Sequence, residues 1–404
     1  MKINWKRNLL VIWISQFLAM IGFNLCMPFI PYLMEEKLGI IDPKIRGVCI
    51  SAYYFTGMIG LCIATIVWGM LADRFGRKIM LLRASYGAAL LYPLILISPN
   101  FSCMLAARFL NSLFTGTVNP AQTLLVSNTP PEKHGFVLGT LSTAVWSGTM
   151  AGYLCGGVIV DKFGYTVAFM SCTACYLIGG ALVHLLVKEE FHMPLPEDTK
   201  ASLKWSEVRK LLSPGVVWLM AVFIVFGVAR RMEEPFIPEL VKVLHPHNAA
   251  SFTGYISAAA ALGGILSGIV IGGLCDRFAI EKVLYPVLAA CVAASLLQAC
   301  ANGIWMLLTA RFLTYFAAGG VQPAFQIMLA RITGNELRGT YFGWSNSMTN
   351  IGGIVCSAVS ATMVISIGLR GVFFATSGAY LLILLLLPPT SRCCRKEEIT
   401  TADK

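Results

Sequence analysis

Twelve stretches of this chain are apolar over the length of a bilayer, near residues 8–30, 46–70, 79–97, 101–126, 136–160, 165–187, 215–238, 252–275, 283–300, 303–329, 340–365 and 370–389. About 20 apolar residues in a helix cross a hydrocarbon core roughly 30 Å thick. In hydrocarbon each such segment must satisfy its own backbone hydrogen bonds, so each is a helix candidate. The expected fold class is therefore all-α, a polytopic membrane protein of twelve transmembrane helices. Composition agrees: 57% of the 404 residues are apolar and 13% are charged, against about 25% charged in soluble proteins.

The net charge of +11 has a topological origin. With the N-terminus in the cytoplasm, the cytoplasmic segments hold 21 of the 31 Lys and Arg residues and the outer loops hold six. Arg108, Arg230, Arg231 and Arg311 fall inside apolar windows. Cytoplasmic loops carry the excess of Lys and Arg, so both termini are expected in the cytoplasm. The charge gives no reason to expect nucleic-acid binding. The first apolar run is too long for a cleavable signal and reads as an anchor. The thirteen cysteines lie mostly within the windows and show no metal-ligand spacing; there they act as small apolar residues.

The chain also repeats itself. Ala106–Gln122 lines up with Thr309–Phe325 at an offset of 203, which sets Arg108 on Arg311 and Pro120 on Pro323. The same offset sets Gly69–Phe75 on Gly272–Phe278, and an offset of 207 sets "PFIPYL" (Pro28–Leu33) on "PFIPEL" (Pro235–Leu240). The expected organisation is a six-helix bundle over 1–187, a charged cytoplasmic loop over 188–213, a second six-helix bundle over 214–391 and a tail over 392–404. Within the loop, "SLKWSEVRKLLS" reads as a short amphipathic helix. Duplicated halves of this kind are typical of secondary transporters, which bind substrate near the midplane between them.

The repeat bears on four charges at the end of the seventh window, Arg230, Arg231, Glu233 and Glu234. Their counterparts are Phe23, Asn24, Cys26 and Met27, inside the first helix. The seventh helix is thus expected to continue through the charges to about Ile237. At 1.5 Å per residue, Arg230 would lie roughly 21 Å and Glu234 roughly 27 Å from its cytoplasmic end. The group reads either as a charged wall of a cavity or as residues that snorkel to the outer headgroups. Arg230 and Glu233 are the deeper pair.

"GMLADRFGRKIMLLR" (Gly69–Arg83) lies between the second and third helices. It resembles the signature loop of the major facilitator superfamily at Gly69, Leu71, Ala72, Asp73, Arg74, Gly76, Arg77 and Lys78. A partial copy stands at Gly272, Leu274, Asp276 and Arg277. The twelve windows and the duplication extend the resemblance to the whole chain. It implies two six-helix bundles, alternating access to a shared site, and a gate latch on the cytoplasmic side. In that latch Asp73 would accept from backbone N–H groups near Gly339–Thr340, and Arg77 would pair with Glu132. "RFLNSLFTG" (Arg108–Gly116) resembles the arginine motif of drug:proton antiporters, which ties Arg108 to proton exchange. "GTMAGYLCGG" is similar to their antiporter motif at Gly148, Gly152, Gly156 and Gly157, with Tyr153 where a helix-bending proline is expected. Small residues four apart on the second, fifth, eighth and eleventh helices suit close packing. The resemblance implies packing of the fifth on the eighth and the second on the eleventh.

The first helix carries Gln16 and Asn24 but no acid. Glu233 is therefore the expected proton carrier and Arg108 its electrostatic counterweight. Gln16, Asn24, Met27 and Phe226 suit a soft substrate cavity. The expected function is a secondary active transporter, a drug:proton antiporter that exports amphipathic compounds. It would use the proton gradient and no cofactor, have a small molecule, protons and the lipid bilayer as partners, and work as a monomer in the cell inner membrane. An uptake carrier for an organic anion or metabolite, clamped by the four arginines, is the alternative. No nucleophile–base arrangement, nucleotide loop or metal motif points to an enzyme; His245 and His247 read as loop residues.

Overall fold

The computed structural model describes residues 4–130, 133–189, 213–332 and 338–402, and every regular element in them is helical. The first half gives α1 (Trp5–Cys26), α2 (Ile30–Leu38), α3 (Pro43–Phe75), α4 (Arg77–Ile97), α5 (Phe101–Phe114), α6 (Val118–Ser127) and α7 (His134–Leu186). The second half gives α8 (Pro214–Arg231), α9 (Ile237–Leu244), α10 (Ala249–Arg277), α11 (Ile280–Ala299), α12 (Ile304–Ala318), α13 (Val321–Ile332), α14 (Arg338–Ser366) and α15 (Leu369–Ala402). The amphipathic helix expected in the central loop lies outside the described residues.

Ten spans are long and apolar enough to cross a membrane among the described residues. Two local features reconcile ten with the twelve apolar windows. The fifth and sixth windows are two helical arms of α7 that meet without a loop at a kink at Gly164, φ 78° and ψ 176°. At 1.5 Å per residue its 53 residues come to roughly 80 Å, too long for a single crossing. The fourth window is broken between α5 and α6, where Gly116 has φ 100°. The Leu113 carbonyl freed there accepts from Trp68 Nε1 at 2.6 Å and from Arg83 Nη1 at 3.3 Å.

The seventh helix departs from expectation. It stops at Arg231 and re-forms as a 3-10 turn (Glu234–Phe236) that leads into α9. Pro235 has no N–H for the Arg231 carbonyl, and its ring crowds that carbonyl. The repeat makes the same break after Cys26, with a 3-10 turn over Met27–Phe29 and Pro28 in Pro235's place. Glu233 therefore sits at a bend, not on a continuous helix face.

The chain divides into two compact units that do not follow the sequence halves. Unit 1 comprises Met1–Asp42, Ala52–Ala201 and Pro246–Ala258; unit 2 comprises Pro43–Ser51, Ser202–His245 and Ala259–Lys404. The first nine residues of α3 thus belong to unit 2, and the first turns of α10 belong to unit 1. Within unit 1, Leu9, Ile12, Leu81, Leu124, Val137, Leu141 and Val183 form an apolar core. Within unit 2, Leu219, Phe223, Phe226, Leu284, Leu288, Phe325 and Tyr380 do the same. Large apolar side chains also face outward, among them Leu90 (72% exposed), Ile269 (70%) and Leu185 (79%). That suits a hydrocarbon solvent, which charges nothing for apolar exposure.

The small-residue stripe of the fifth helix packs within its own half. A side chain at Gly148 would meet Met20, and one at Gly152 would meet Ile21 and Asn24; at Gly156 the neighbours are Leu25 and Phe29. These neighbours lie on α1 and the 3-10 turn after it. Gly157 alone of the four meets α10, at Ala250 and Ser251 inside unit 1. In unit 2 the equivalent seam runs between α14 and α8, where Gly227 and Gly352 approach each other's backbone. The stripes let each first helix lie close against the fifth of its own half, since glycine removes the side chain that would hold backbones apart.

Candidate functional site

Unit 2 holds a buried charged centre. Glu233 and Arg311 are 1% and 3% exposed, and Arg311 Nη1 donates to Glu233 Oε1. The bend before Pro235 presents Glu233, and α12 presents Arg311. Arg311 Nη2 also donates to Tyr315 Oη at 3.2 Å, and its guanidinium lies 4.5 Å from that ring's centroid. Gln298 on α11 donates to Thr314 Oγ1 at 2.6 Å and approaches Glu233 Oε1 at 3.5 Å. Glu233 Oε2 has no hydrogen-bond partner among the described residues. Two opposite charges in a dry environment hold each other in place, and removing either leaves the other uncompensated, at a cost of about 3–5 kcal/mol. One carboxylate oxygen is committed to an arginine and the other is bare: this arrangement can hold or release a proton. Arg231 donates to Asn350 Oδ1 at 3.1 Å. Arg230 is half-buried and Glu234 is exposed.

Arg108, the repeat mate of Arg311, is differently served. It lies in unit 1 and is 8% exposed. Its Nη1 approaches Met27 Sδ at 3.5 Å, and its guanidinium lies 5.0 Å from the Tyr53 ring centroid. Gly57 leaves room for it, since a side chain there would come within 2.6 Å of Arg108 Nη2. The charge facing Glu233 is thus Arg311, not the Arg108 that sequence reasoning paired with it. The reason lies in the repeat: each arginine faces the bend that ends the first helix of its own half. In that bend unit 2 has an acid, while unit 1 has Cys26 and Met27.

The other proposed cavity residues are mostly engaged. Gln16 Oε1 accepts from Thr117 Oγ1 at 2.9 Å, at the start of α6. Asn24 Nδ2 donates to the Met20 carbonyl at 2.8 Å. Phe226 is fully buried in the apolar core of unit 2. Tyr153 sits in an unbroken stretch of α7.

The loop between α3 and α4 turns at Gly76, with φ 90°. Glu189, just past α7, caps the start of α4: its two oxygens accept from the Arg77 and Lys78 backbone N–H groups at 2.9 Å each. Lys78 Nζ donates in return to the His184 and Val187 carbonyls at 2.9 and 2.7 Å. Each helix end thus has its orphaned groups satisfied by the other's side chain, with charges that suit the helix dipoles. The side chains of Gly69, Asp73, Arg74, Asp276, Gly339 and Thr340, and residue Glu132, lie outside those described. Arg277 is exposed at the end of α10.

A second ion pair was not anticipated from the sequence. Arg46 and Glu239, both in unit 2 and 5% and 6% exposed, form two parallel bonds, Nε to Oε1 at 2.8 Å and Nη2 to Oε2 at 2.7 Å. The 207 offset sets Arg46 on Thr253 and Glu239 on Tyr32. Tyr32 Oη lies 2.9 Å from Thr253 Oγ1 within unit 1. The same two positions pair in both units, once as charges and once as hydroxyls. By sequence Arg46 is one of the six outer-loop charges. Among the described residues no group of His, Cys, Asp and Glu is arranged to hold a metal.

The sequence profile of the Major Facilitator Superfamily matches residues 12–297 and 235–392. The chain belongs to this superfamily. It is a secondary transporter, not an enzyme, and a multi-pass membrane protein. Members similar to it include the multidrug resistance protein MdtG of Salmonella typhimurium and of Salmonella paratyphi B. Each is 33% identical over 383 residues, covering 94% of both chains. Solved superfamily structures share the fold. The nucleoside transporter NupG has a TM-score of 0.72 at 14% identity, over 95% of this chain and 98% of its own. A bacterial homologue of the lysosomal transporter Spinster, inward-facing and occupied, reaches 0.78 at 15% identity, over 96% and 97%.

Proposed function

We propose that this superfamily member exports amphipathic small organic molecules in exchange for protons. It works as a monomer in the cell inner membrane, with both termini in the cytoplasm. Its two six-helix bundles span 1–187 and 214–391, and it works by alternating access. The observation that carries the proton coupling is the Glu233–Arg311 pair, a carboxylate buried in a membrane span with one oxygen on an arginine and the other bare. Protonation at Oε2 neutralises the acid and frees Arg311 to lean on Tyr315. Deprotonation restores the pair. An inward-moving proton gains about 2.3 kcal/mol per 100 mV of membrane potential. Export is supported by the similarity to the multidrug resistance protein MdtG and by the glycines at 148, 152, 156 and 157.

The test uses everted membrane vesicles loaded by a proton gradient, with a fluorescent amphipathic dye. Glu233→Gln is expected to abolish uncoupler-sensitive dye accumulation while dye binding to the purified protein persists. Undiminished, uncoupler-sensitive accumulation in Glu233→Gln would remove Glu233 from the mechanism. Depletion of dye where accumulation is expected would reverse the direction of transport.

A further inference from the structure

The two repeat-related arginines differ in one respect that matters energetically. Arg311 is neutralised by Glu233. Arg108 has no carboxylate within ion-pair distance among the described residues; its neighbours are a thioether and the face of a tyrosine. It lies seven residues into α5, roughly 10 Å along the span. A thioether is a weak acceptor. A cation–π contact contributes about 0.5–2 kcal/mol. Burying a guanidinium costs several kcal/mol even after relaxation. The protein alone does not balance this charge.

The groups around it are also under-used. Arg108 Nε has no hydrogen-bond partner among the described residues. One turn further along α5, on the same face, Asn111 is fully buried with both amide atoms unpartnered. The Tyr53 ring and its hydroxyl face the same guanidinium. Buried polar atoms are nearly always satisfied, so several bare ones beside one uncompensated cation call for a partner from outside the chain. The available donors are a guanidinium N–H, an amide and the Tyr53 hydroxyl. That set suits an oxyanion such as a carboxylate.

We infer that Arg108, with Asn111 and Tyr53, forms a binding site for an anionic group, either a carboxylate on the transported amphipath or a free inorganic anion. The inference rests on the transporter reading for the substrate's identity, but anion binding itself needs neither a proton gradient nor a direction of transport. It also accounts for the asymmetry of the repeat. Unit 2 carries its own acid opposite the arginine, and unit 1 leaves that place for the ligand.

The experiment measures equilibrium binding to the whole protein in uncharged-lipid nanodiscs, in low-salt buffer without a gradient. The probes are 2-naphthoate and the neutral, near-isosteric 2-naphthamide. The protein is expected to bind the naphthoate at least about tenfold more tightly, equivalent to roughly 1.4 kcal/mol. Arg108→Gln should erase that preference. So should Met27→Glu, which keeps Arg108 but places a carboxylate where Met27 Sδ now stands. Met27→Leu should retain it. The Met27 variants keep the test decisive if Arg108→Gln fails to fold. Added chloride distinguishes the sources: competition that requires Arg108 identifies a site open to inorganic anions, and no competition identifies a site selective for organic carboxylates. Equal affinity for naphthoate and naphthamide with no chloride effect overturns the proposal, as does a preference that survives Met27→Glu. Loss of proton coupling in Glu233→Gln leaves these binding results unchanged, so the two readings fail separately.

Discussion

Breaking the Arg46–Glu239 pair by halves should damage the protein more than removing it whole. Both side chains are buried, and the two bonds of 2.7 and 2.8 Å use the full fork of the guanidinium. Such a pair gains Coulomb energy but loses the hydration of two ions, so its net worth against an apolar replacement is near zero. A single truncation is different, because it leaves one ion buried alone. Glu239→Ala and Arg46→Ala should each cost about 3–5 kcal/mol, while Arg46→Met with Glu239→Leu should cost no more than about 1 kcal/mol. With Arg46→Met and Glu239→Leu as the single variants of the cycle, each again costing about 3–5 kcal/mol, the coupling energy would be at least about 5 kcal/mol in magnitude, large for a pair of residues. The assay is equilibrium unfolding of purified protein in mixed micelles of increasing SDS fraction, read by tryptophan fluorescence. Single variants that lose less than about 1 kcal/mol would show the pair to be solvated in the membrane. A double variant as unstable as the sum of the singles would show that the two residues act independently. Either result refutes the reasoning.

Four further outcomes follow from local geometry. Gly152→Ala, whose methyl would lie 2.8 Å from the Ile21 carbonyl oxygen, should destabilise by about 1–3 kcal/mol in the same assay. Gly268→Ala has open space around it and should be neutral or slightly stabilising, because alanine is the better helix former. Glu189→Gln offers one acceptor oxygen where the α4 terminus uses two charged ones. Hydrogen exchange at the Arg77 and Lys78 amides should accelerate about tenfold or more, as expected for losing a charged hydrogen bond of about 1.5–3 kcal/mol; unchanged protection would dismiss the cap. Gly76→Ala, at φ 90°, should lower unfolding stability by about 1–3 kcal/mol through backbone strain.

Much of the fold was written in the apolar windows, because the spacing of bilayer-length segments does not depend on how they pack. The repeat offsets located Arg108 and Arg311 at matching depths before any contact was known. They also showed that Glu233 has an equivalent, Cys26, in the first helix. What the offsets could not supply was the partner of each charge. On sequence grounds Arg108 was the expected counterweight of Glu233, and the structure pairs it with Arg311. The choice is made by the proline-induced bend, which turns Glu233 toward α12 of its own unit.

The remaining differences share that cause. The glycine ladder on α7 is legible as a seam for close packing, yet which helix fills the seam depends on three-dimensional neighbours; here it is α1 for three of its four glycines. Glu189 and Lys78 cap each other's helices from positions over a hundred residues apart, and no local pattern links them. Arg46 reads as a loop charge until α3 carries it into unit 2 beside Glu239. Hydrophobic length and repetition are properties of the chain, and the sequence by itself determined the membrane class, the duplication and the place of Arg108, Arg311 and Glu233 within apolar windows. Ion pairing falls off within a few ångströms in any medium that screens it, so only the tertiary structure decided which charge meets which, and which one is left for a ligand.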